Sequence, residues 1–513
     1  MTAATTPAEQ AEHEAVAQAA LAKYASLPRR GKPKRRDNQV REWTVMAAVC
    51  LVRGAGPSRQ VHCVSIGTGL KALPHSRLPV HGDVLHDSHA EVIARRGFHL
   101  WTYAQLERAL RAETAKGKGR ERDDSEHEAA FFERDLGGYW RLRPEWRVMF
   151  YVSTLPCGDA STFLLAKTAE EANSLAEKMA ATSLEPEFPP ENPSGQMNGG
   201  KTVPSLVAAA SLGLSTARDQ PTGPAGVDAL PSTTPQVHRG RVSYSSFSCL
   251  RTKPGRADSP PTTSHSCSDK LAVWSLLGLQ GALLSQLGMQ RIPIDALVIG
   301  GVPQEHRERV GEEAGRAVGG RLEAWARSVG LGQNAFTPPL IHFTDRAFEH
   351  GREAVAADED CDVSEVASCS ESLSYVADLG GDEREAVEII NNGIRHGAPS
   401  RRQHPTRPLP PKARSRLCKL SLFERFVLVR QLANDPLTAS DSSSAPLTTY
   451  YACKHAQLSP TLSQTYPEPG ERYQALKTKL RMPNSGPFGG WLVSGGPWES
   501  FDSHGDVNDS KML

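Results

Sequence analysis

Three short blocks, far apart in the chain, carry side chains that can act together only if the chain folds back on itself twice. The first is Asp87-Ser88-His89-Ala90-Glu91-Val92-Ile93-Ala94-Arg95-Arg96, which sets a metal-capable imidazole and a carboxylate at the head of an amphipathic pattern running to about Leu110. The second, Ser153-Thr154-Leu155-Pro156-Cys157-Gly158, follows an apolar run, Arg147 to Ser153, that reads as a central strand. The third, Ser266-Cys267-Ser268-Asp269-Lys270, opens a long helical pattern expected to run from Asp269 to Leu287. A His-x-Glu pair alone marks no more than a helix start. Taken with two thiols, His89, Cys157 and Cys267 make a three-ligand set for zinc and leave a fourth position to water.

Zinc lowers the pKa of a bound water toward neutrality. Glu91, two residues past the imidazole, can carry that water's proton without binding the metal. This is the zinc deaminase arrangement, in which hydroxide attacks C4 of cytosine or C6 of adenine and ammonia leaves. The common form of that pattern has a second Cys three residues after Pro-Cys. Here Pro156-Cys157 has none, and the nearest useful thiolate is Cys267, beyond a long insertion.

Separated Pro-Cys-Gly and Ser-Cys-Ser-Asp-Lys blocks behind His-Ala-Glu resemble the RNA adenosine deaminases, a family of double-stranded-RNA editing enzymes and tRNA-specific enzymes that modify position 37. The resemblance runs from about Leu27 to Trp491. Leu27-Pro28-Arg29-Arg30-Gly31-Lys32-Pro33, followed by Glu42-Trp43-Thr44-Val45, resembles the entry segment of the tRNA-specific branch. The family implies an α/β fold of cytidine-deaminase-like type: a mixed sheet with flanking helices and a large C-terminal extension. It also implies hydrolytic deamination of adenosine to inosine in tRNA, at adenosine 37 beside the anticodon of alanine tRNA, so the expected partner is a tRNA anticodon stem-loop. Two alternatives stand beside this: editing of duplex RNA, and a relative that binds RNA without turnover.

Arg95, Arg96 and Lys270 lie close to the candidate ligands in sequence. They are either surface cations whose stems snorkel to water or buried cations that need a counter-charge. The resemblance implies the second, through an inositol hexakisphosphate buried behind the zinc site. The matching positions are Arg95, Arg96, Ser264, Lys270, Lys419, Tyr450, Lys454, Tyr473, Lys477 and Trp491. His86, Val273, Ala282 and Val493 depart from the pattern. Asp87 and Lys253 match a relay between zinc and polyphosphate, although on sequence alone they read equally as a helix N-cap and a solvated lysine.

Length and composition organise the remainder. The 513 residues permit one large domain with insertions, and 37 Pro with 43 Gly imply long irregular segments. Expected boundaries are an N-terminal tail at 1–26, a deaminase domain at 27–500 with disordered insertions at about 169–240 and 355–400, and a loose tail at 501–513. Trp43 to Val52 reads as buried, whether helix or strand. Tyr450/Lys454 and Tyr473/Lys477 each share a helix face. The formal net charge is +1, so any RNA surface must be local, and Arg29 to Arg36 is the most basic run. The nine Cys, an odd number irregularly spaced, fit a reducing compartment rather than a disulfide framework. Without a signal-peptide core or a span of about 20 apolar residues, the expectation is a cytoplasmic or nuclear protein with no membrane contact and no obligate protein partner.

Overall fold

The computed structural model describes residues 6–116, 131–164, 237–240, 246–253, 259–331, 336–379, 386–398, 407–433, 448–456 and 468–507. The Met46–Arg53 strand lies in the middle of an eight-stranded sheet and is buried on both faces. Met46, Ala48, Cys50 and Val52 pack with Val16, Ala17, Ala20 and Tyr24 of the helix Pro7–Ser26. Ala47, Val49 and Leu51 pack on the opposite face with Ile93, Phe98 and Trp101 of the helix Ala90–Lys116. A strand covered on both sides has no polar alternation, which is why its sequence does not separate strand from helix.

The strand order is Leu340–Phe343, Ala296–Ile299, Arg147–Val152, Met46–Arg53, Gln60–Thr68, Glu371–Val376, Val387–Asn391, Ile394–Arg395. The first three are mutually parallel and all later neighbours are antiparallel. The same partition of faces repeats along it: Val148, Phe150 and Val152 face the core around the Ala90–Lys116 helix, while Met149 and Tyr151 face the N-terminal helix. The result is the expected mixed α/β sheet with helices on both faces.

Several expected boundaries change. The N-terminal tail is, from Pro7, a helix started by a Thr6–Glu9 capping box. Asp87–His89 is a short strand paired with Leu70–Ala72, and the helix begins only at Ala90. The helix expected at Asp269 to Leu287 is two, Cys267–Leu277 and Gly281–Gln286, because Gly278 leaves helical geometry at φ 91°. The segment at about 355–400 is no peripheral insertion, since it supplies three of the eight sheet strands. Five of its eleven acidic residues fall between Asp358 and Glu365, and acidic residues colour the composition while the strands beside them are short. The first expected insertion lies outside the described residues except for 237–240, where Val237–Arg239 pairs with Leu250–Thr252. The start of the expected loose tail is packed: Phe501 is fully buried and stacks on Tyr450 at 5.2 Å. Among the described residues no helix is long and apolar enough to cross a membrane.

Tyr24 tests how far the N-terminal helix belongs to the core. Its ring is buried edge-on to Phe348 at 5.1 Å, while its hydroxyl has no hydrogen-bond partner. Tyr24→Ala is expected to cost about 3–5 kcal/mol in urea denaturation. Tyr24→Phe is expected to be neutral or slightly stabilising, because it removes an unsatisfied buried hydroxyl.

Candidate active site

Two close approaches assemble the site. Gly67 lies against the start of the helix Ala90–Lys116: a Cβ there would stand 2.4 Å from the Ala90 carbonyl and 2.6 Å from Ile93 Cβ. Gly158, at φ 104°, lets the loop after the Arg147–Val152 strand close on the next helix, where a Cβ would meet Ser266 Oγ at 2.2 Å. Ser268 ties that contact, donating through Oγ to the carbonyls of Pro156 at 3.1 Å and Cys157 at 2.9 Å. Cys267 is thereby the first residue of a helix capped by Ser266, and its backbone N–H donates to Cys157 Sγ at 3.3 Å.

The electrostatics follow from that packing. The Cys267 thiol donates toward Cys157, and Lys253 and His89 add positive charge, so the Cys157 thiol is lowered to about 6. Burial and the neighbouring sulfur push Cys267 up. His89 Nδ1 bonds Asp87 Oδ1 at 2.8 Å, which leaves Nε2 free. Glu91 is buried and acts electrostatically on both sulfurs, yet among the described residues it makes no hydrogen bond or ion pair.

Among the described residues no three His, Cys, Asp or Glu side chains are arranged, as they stand, to hold a metal ion. His89, Cys157 and Cys267 are neighbours without forming a closed shell. Their chemistry nevertheless fits zinc: an imidazole oriented through its other nitrogen by a carboxylate, and two adjacent thiols, one already lowered.

Asp87 joins this site to the space behind it. Lys253 Nζ donates to Asp87 Oδ2 at 2.8 Å and to Cys267 Sγ at 3.2 Å. Ser264 Oγ donates to the same carboxylate at 2.5 Å, and Lys270 Nζ donates to it and, at 2.6 Å, to Ser264. Burial opposes charge on Asp87, but Lys253, Lys270 and His89 outweigh it and hold the carboxyl well below its usual range. Asp87 is therefore neither a helix cap nor solvated, and Lys253 is buried.

Beyond Lys270 opens a cavity of about 320 Å³. Arg95, Arg96, Ser264, Lys270, Lys419, Tyr450, Lys454, Tyr473, Lys477 and Trp491 all line it, as do the departing positions His86, Val273, Ala282 and Val493. Seven Lys and Arg side chains share its wall with two carboxylates, Asp87 and Glu499. Burial and neighbouring cations lower Lys477 to about 7, and burial lowers Lys419 to about 8 even though Glu499 pulls the other way. Among the described residues Arg95, Arg96, Lys477 and Arg481 form no ion pair; Arg95 instead lies over the Trp274 ring and Arg481 over Trp491. Such a donor set fits a compact polyanion.

Sequence reasoning missed Glu499 and Arg481. Glu499 accepts from Lys454 at 2.6 Å and Lys419 at 2.9 Å. It supplies a carboxylate to the wall where Val493 does not. It lies in a Gly-, Pro- and Ser-rich stretch without periodicity, so nothing local marks it. Arg481 is the position after Lys477 on the same helical face, and that spacing could have found it.

Residues 65–492 match the adenosine-deaminase (editase) domain family. Among curated relatives, "tRNA-specific adenosine deaminase 1" of Mus musculus is 28% identical, over 93% of this chain and 97% of its own length. The protein of the same name from Homo sapiens is 27% identical, over 91% and 94%. "Double-stranded RNA-specific editase Adar" of Drosophila melanogaster is 26% identical over 51% of this chain and 29% of its own length.

Asp87→Asn leaves the buried Lys253 and the part-buried Lys270 without their carboxylate and is expected to cost about 3–5 kcal/mol in denaturant unfolding. Asp87→Asn combined with Lys253→Met should recover part of that loss, the non-additivity expected of residues in one network.

Proposed function

Because the chain belongs to the adenosine-deaminase (editase) domain family, we propose that it is a zinc-dependent hydrolase that converts adenosine to inosine in tRNA, at adenosine 37 of alanine tRNA. The observation that carries the reaction is Glu91, a buried carboxylate that among the described residues has no hydrogen-bond or ion-pair partner and acts electrostatically on the sulfurs of Cys157 and Cys267. The tRNA substrate is favoured by extent: the mouse and human relatives named for tRNA align over 93% and 91% of the chain, the duplex-RNA editase over 51%. Position 37 and the alanine tRNA rest on the likeness of the Leu27 to Val45 segment to the tRNA-specific branch.

In this reading His89 Nε2 and the sulfurs of Cys157 and Cys267 hold zinc, which when bound supplies Lewis-acid activation of water. Glu91 accepts the proton of the attacking water on its carboxylate and delivers it to the purine ring at N1 as C6 becomes tetrahedral. Glu91 then takes the proton of the new C6 hydroxyl and passes it to N6, the C6–N6 bond breaks, ammonia leaves, and the C6 carbonyl of inosine is formed. Asp87 holds the His89 ring in orientation, and the Lys253 ammonium beside Cys267 favours the thiolate. The adenosine must leave its stack to reach this pocket, which makes an unpaired loop nucleotide the easier substrate.

The cavity lysines and arginines, with Ser264, Tyr450, Tyr473 and Trp491, would hold inositol hexakisphosphate, a polyanion whose contribution is structural: it supplies the counter-charge that lets several cations be buried together. Asp87 and Lys253 are the relay between the two sites.

Two measurements test these readings. With unmodified alanine tRNA transcript, inosine should form at position 37, and Glu91→Gln should slow it by roughly 10²–10⁴-fold with zinc content unchanged. Zinc-loaded wild type that deaminates a duplex hairpin but no tRNA would sink the substrate assignment. For the polyanion, sign follows from linkage: Lys419 and Lys477 are depressed in the folded state, so the protein stripped of polyanion binds fewer protons than its unfolded chain. Its unfolding midpoint should therefore rise between about pH 6 and about pH 9. Added inositol hexakisphosphate should raise the midpoint and flatten that slope; a midpoint indifferent to it would exclude the cavity as its site.

A further inference from the structure

The basic run Arg29 to Arg36 is a rigid turn clamped onto the sheet. Gly31, at φ 83°, is wedged where a Cβ would lie 2.7 Å from Ile389 Cγ1. Lys32 N–H donates to the Arg29 carbonyl at 3.1 Å, and its ammonium lies 4.5 Å from the centre of the Tyr24 ring while donating to the Ala25 carbonyl at 3.1 Å. Glu42 N–H donates to the Lys34 carbonyl at 3.0 Å. Three carboxylates on this face are engaged, Glu359 and Asp358 by Arg35 and Arg41, and Glu42 by Arg36. Arg29, Arg30 and Lys34 are exposed, and among the described residues none of them forms an ion pair.

The turn is wired to the candidate active site. Arg36 donates to the Ser368 carbonyl at 2.8 Å, and Lys71 donates to the Ser368 hydroxyl at 2.9 Å. The Lys71 strand pairs directly with the strand that ends in His89. None of the large exposed apolar side chains lies in the turn, so it offers charge without an apolar wedge.

We propose that Arg29, Arg30 and Lys34 form a preorganised phosphate-contacting surface that holds the RNA backbone beside the catalytic pocket. This rests on the RNA deaminase reading above. Three unpaired cations on a fixed turn bind a polyanionic backbone without having to order a flexible arm first, and each neutralised phosphate releases counterions, so the contribution is salt-dependent. The turn carries no base-reading chemistry; it positions the RNA and leaves choice of the adenosine to the pocket.

The test is binding of fluorescent alanine tRNA transcript to the full chain across a salt series. Arg29→Gln/Arg30→Gln/Lys34→Gln is expected to weaken binding by roughly 10-fold or more and to reduce the salt slope by about 2–3. Arg29→Lys/Arg30→Lys should retain wild-type affinity, since charge rather than guanidinium shape is used. Unchanged affinity and slope in the triple variant would overturn the surface whether or not inosine forms, as would loss of binding to phosphatidylserine vesicles with tRNA binding intact. Wild type that makes no inosine, with tRNA affinity still lost in the triple variant, would sink the reaction and keep the surface.

Discussion

One buried carboxylate, Asp87, is shared by a buried ammonium group, a part-buried one, a hydroxyl and an imidazole, and the candidate site depends on it. In low dielectric an unpaired ammonium is far costlier than at the surface, so Lys253 and Lys270 can be inside only because Asp87 is. Asp87 can serve both because it is fixed by the backbone: its strand is paired with Leu70–Ala72, and its Oδ1 also accepts from the His89 N–H at 3.0 Å. Its two oxygens face opposite ways in chemistry, Oδ1 toward the imidazole and Oδ2 toward the cations that open onto the cavity. Whatever shifts the charge on one side is felt on the other through a single group.

Close packing of backbone supplies the rest of the precision. The sulfurs are adjacent because Gly158 leaves room for Ser266, and the imidazole is where it is because Gly67 lets a sheet strand touch the first turn of the Ala90–Lys116 helix. Ser268 then ties the turn at Cys157, its backbone N–H donating to the Cys157 carbonyl at 3.0 Å and its one hydroxyl proton shared between the carbonyls of Pro156 and Cys157. A site built this way draws its geometry from two helix starts, a strand end and a loop pinned to one of those helices by Ser268.

What was legible in the sequence was chemistry that needs particular side chains. His89, Glu91, Cys157 and Cys267 stand out by residue type, and the Tyr/Lys spacings mark a shared helical face. The fold class followed from the same blocks. Less legible was whatever depends on tertiary neighbours. Trp43 to Val52 kept its strand character hidden because both faces are buried. The segment at 355–400 looked like an acidic insertion because turn carboxylates outnumber the few apolar residues, Leu373, Val376 and Ile390, that place its strands in the sheet. Glu499 and Phe501 lie in a stretch of Gly, Pro and Ser where no periodicity distinguishes a packed irregular chain from a solvated one. Their burial is decided by Tyr450 and Lys454 on a helix distant in sequence.

The charge distribution links the two polar surfaces of the molecule. The whole chain is close to neutral, with a formal charge of +1, yet the cavity wall alone has seven cations against two carboxylates. The remainder of the chain must then carry a net negative charge. A net charge of +1 gives the long-range field little attraction for a polyanionic RNA. Attraction has to come from places where cations outnumber the carboxylates around them. In the turn at Arg29 to Arg36, Glu359, Asp358 and Glu42 are occupied by Arg35, Arg36 and Arg41, and among the described residues Arg29, Arg30 and Lys34 form no ion pair. With positive charge buried in the interior and a nearly neutral whole, local and ordered presentation of surface cations is what the chain offers an RNA backbone.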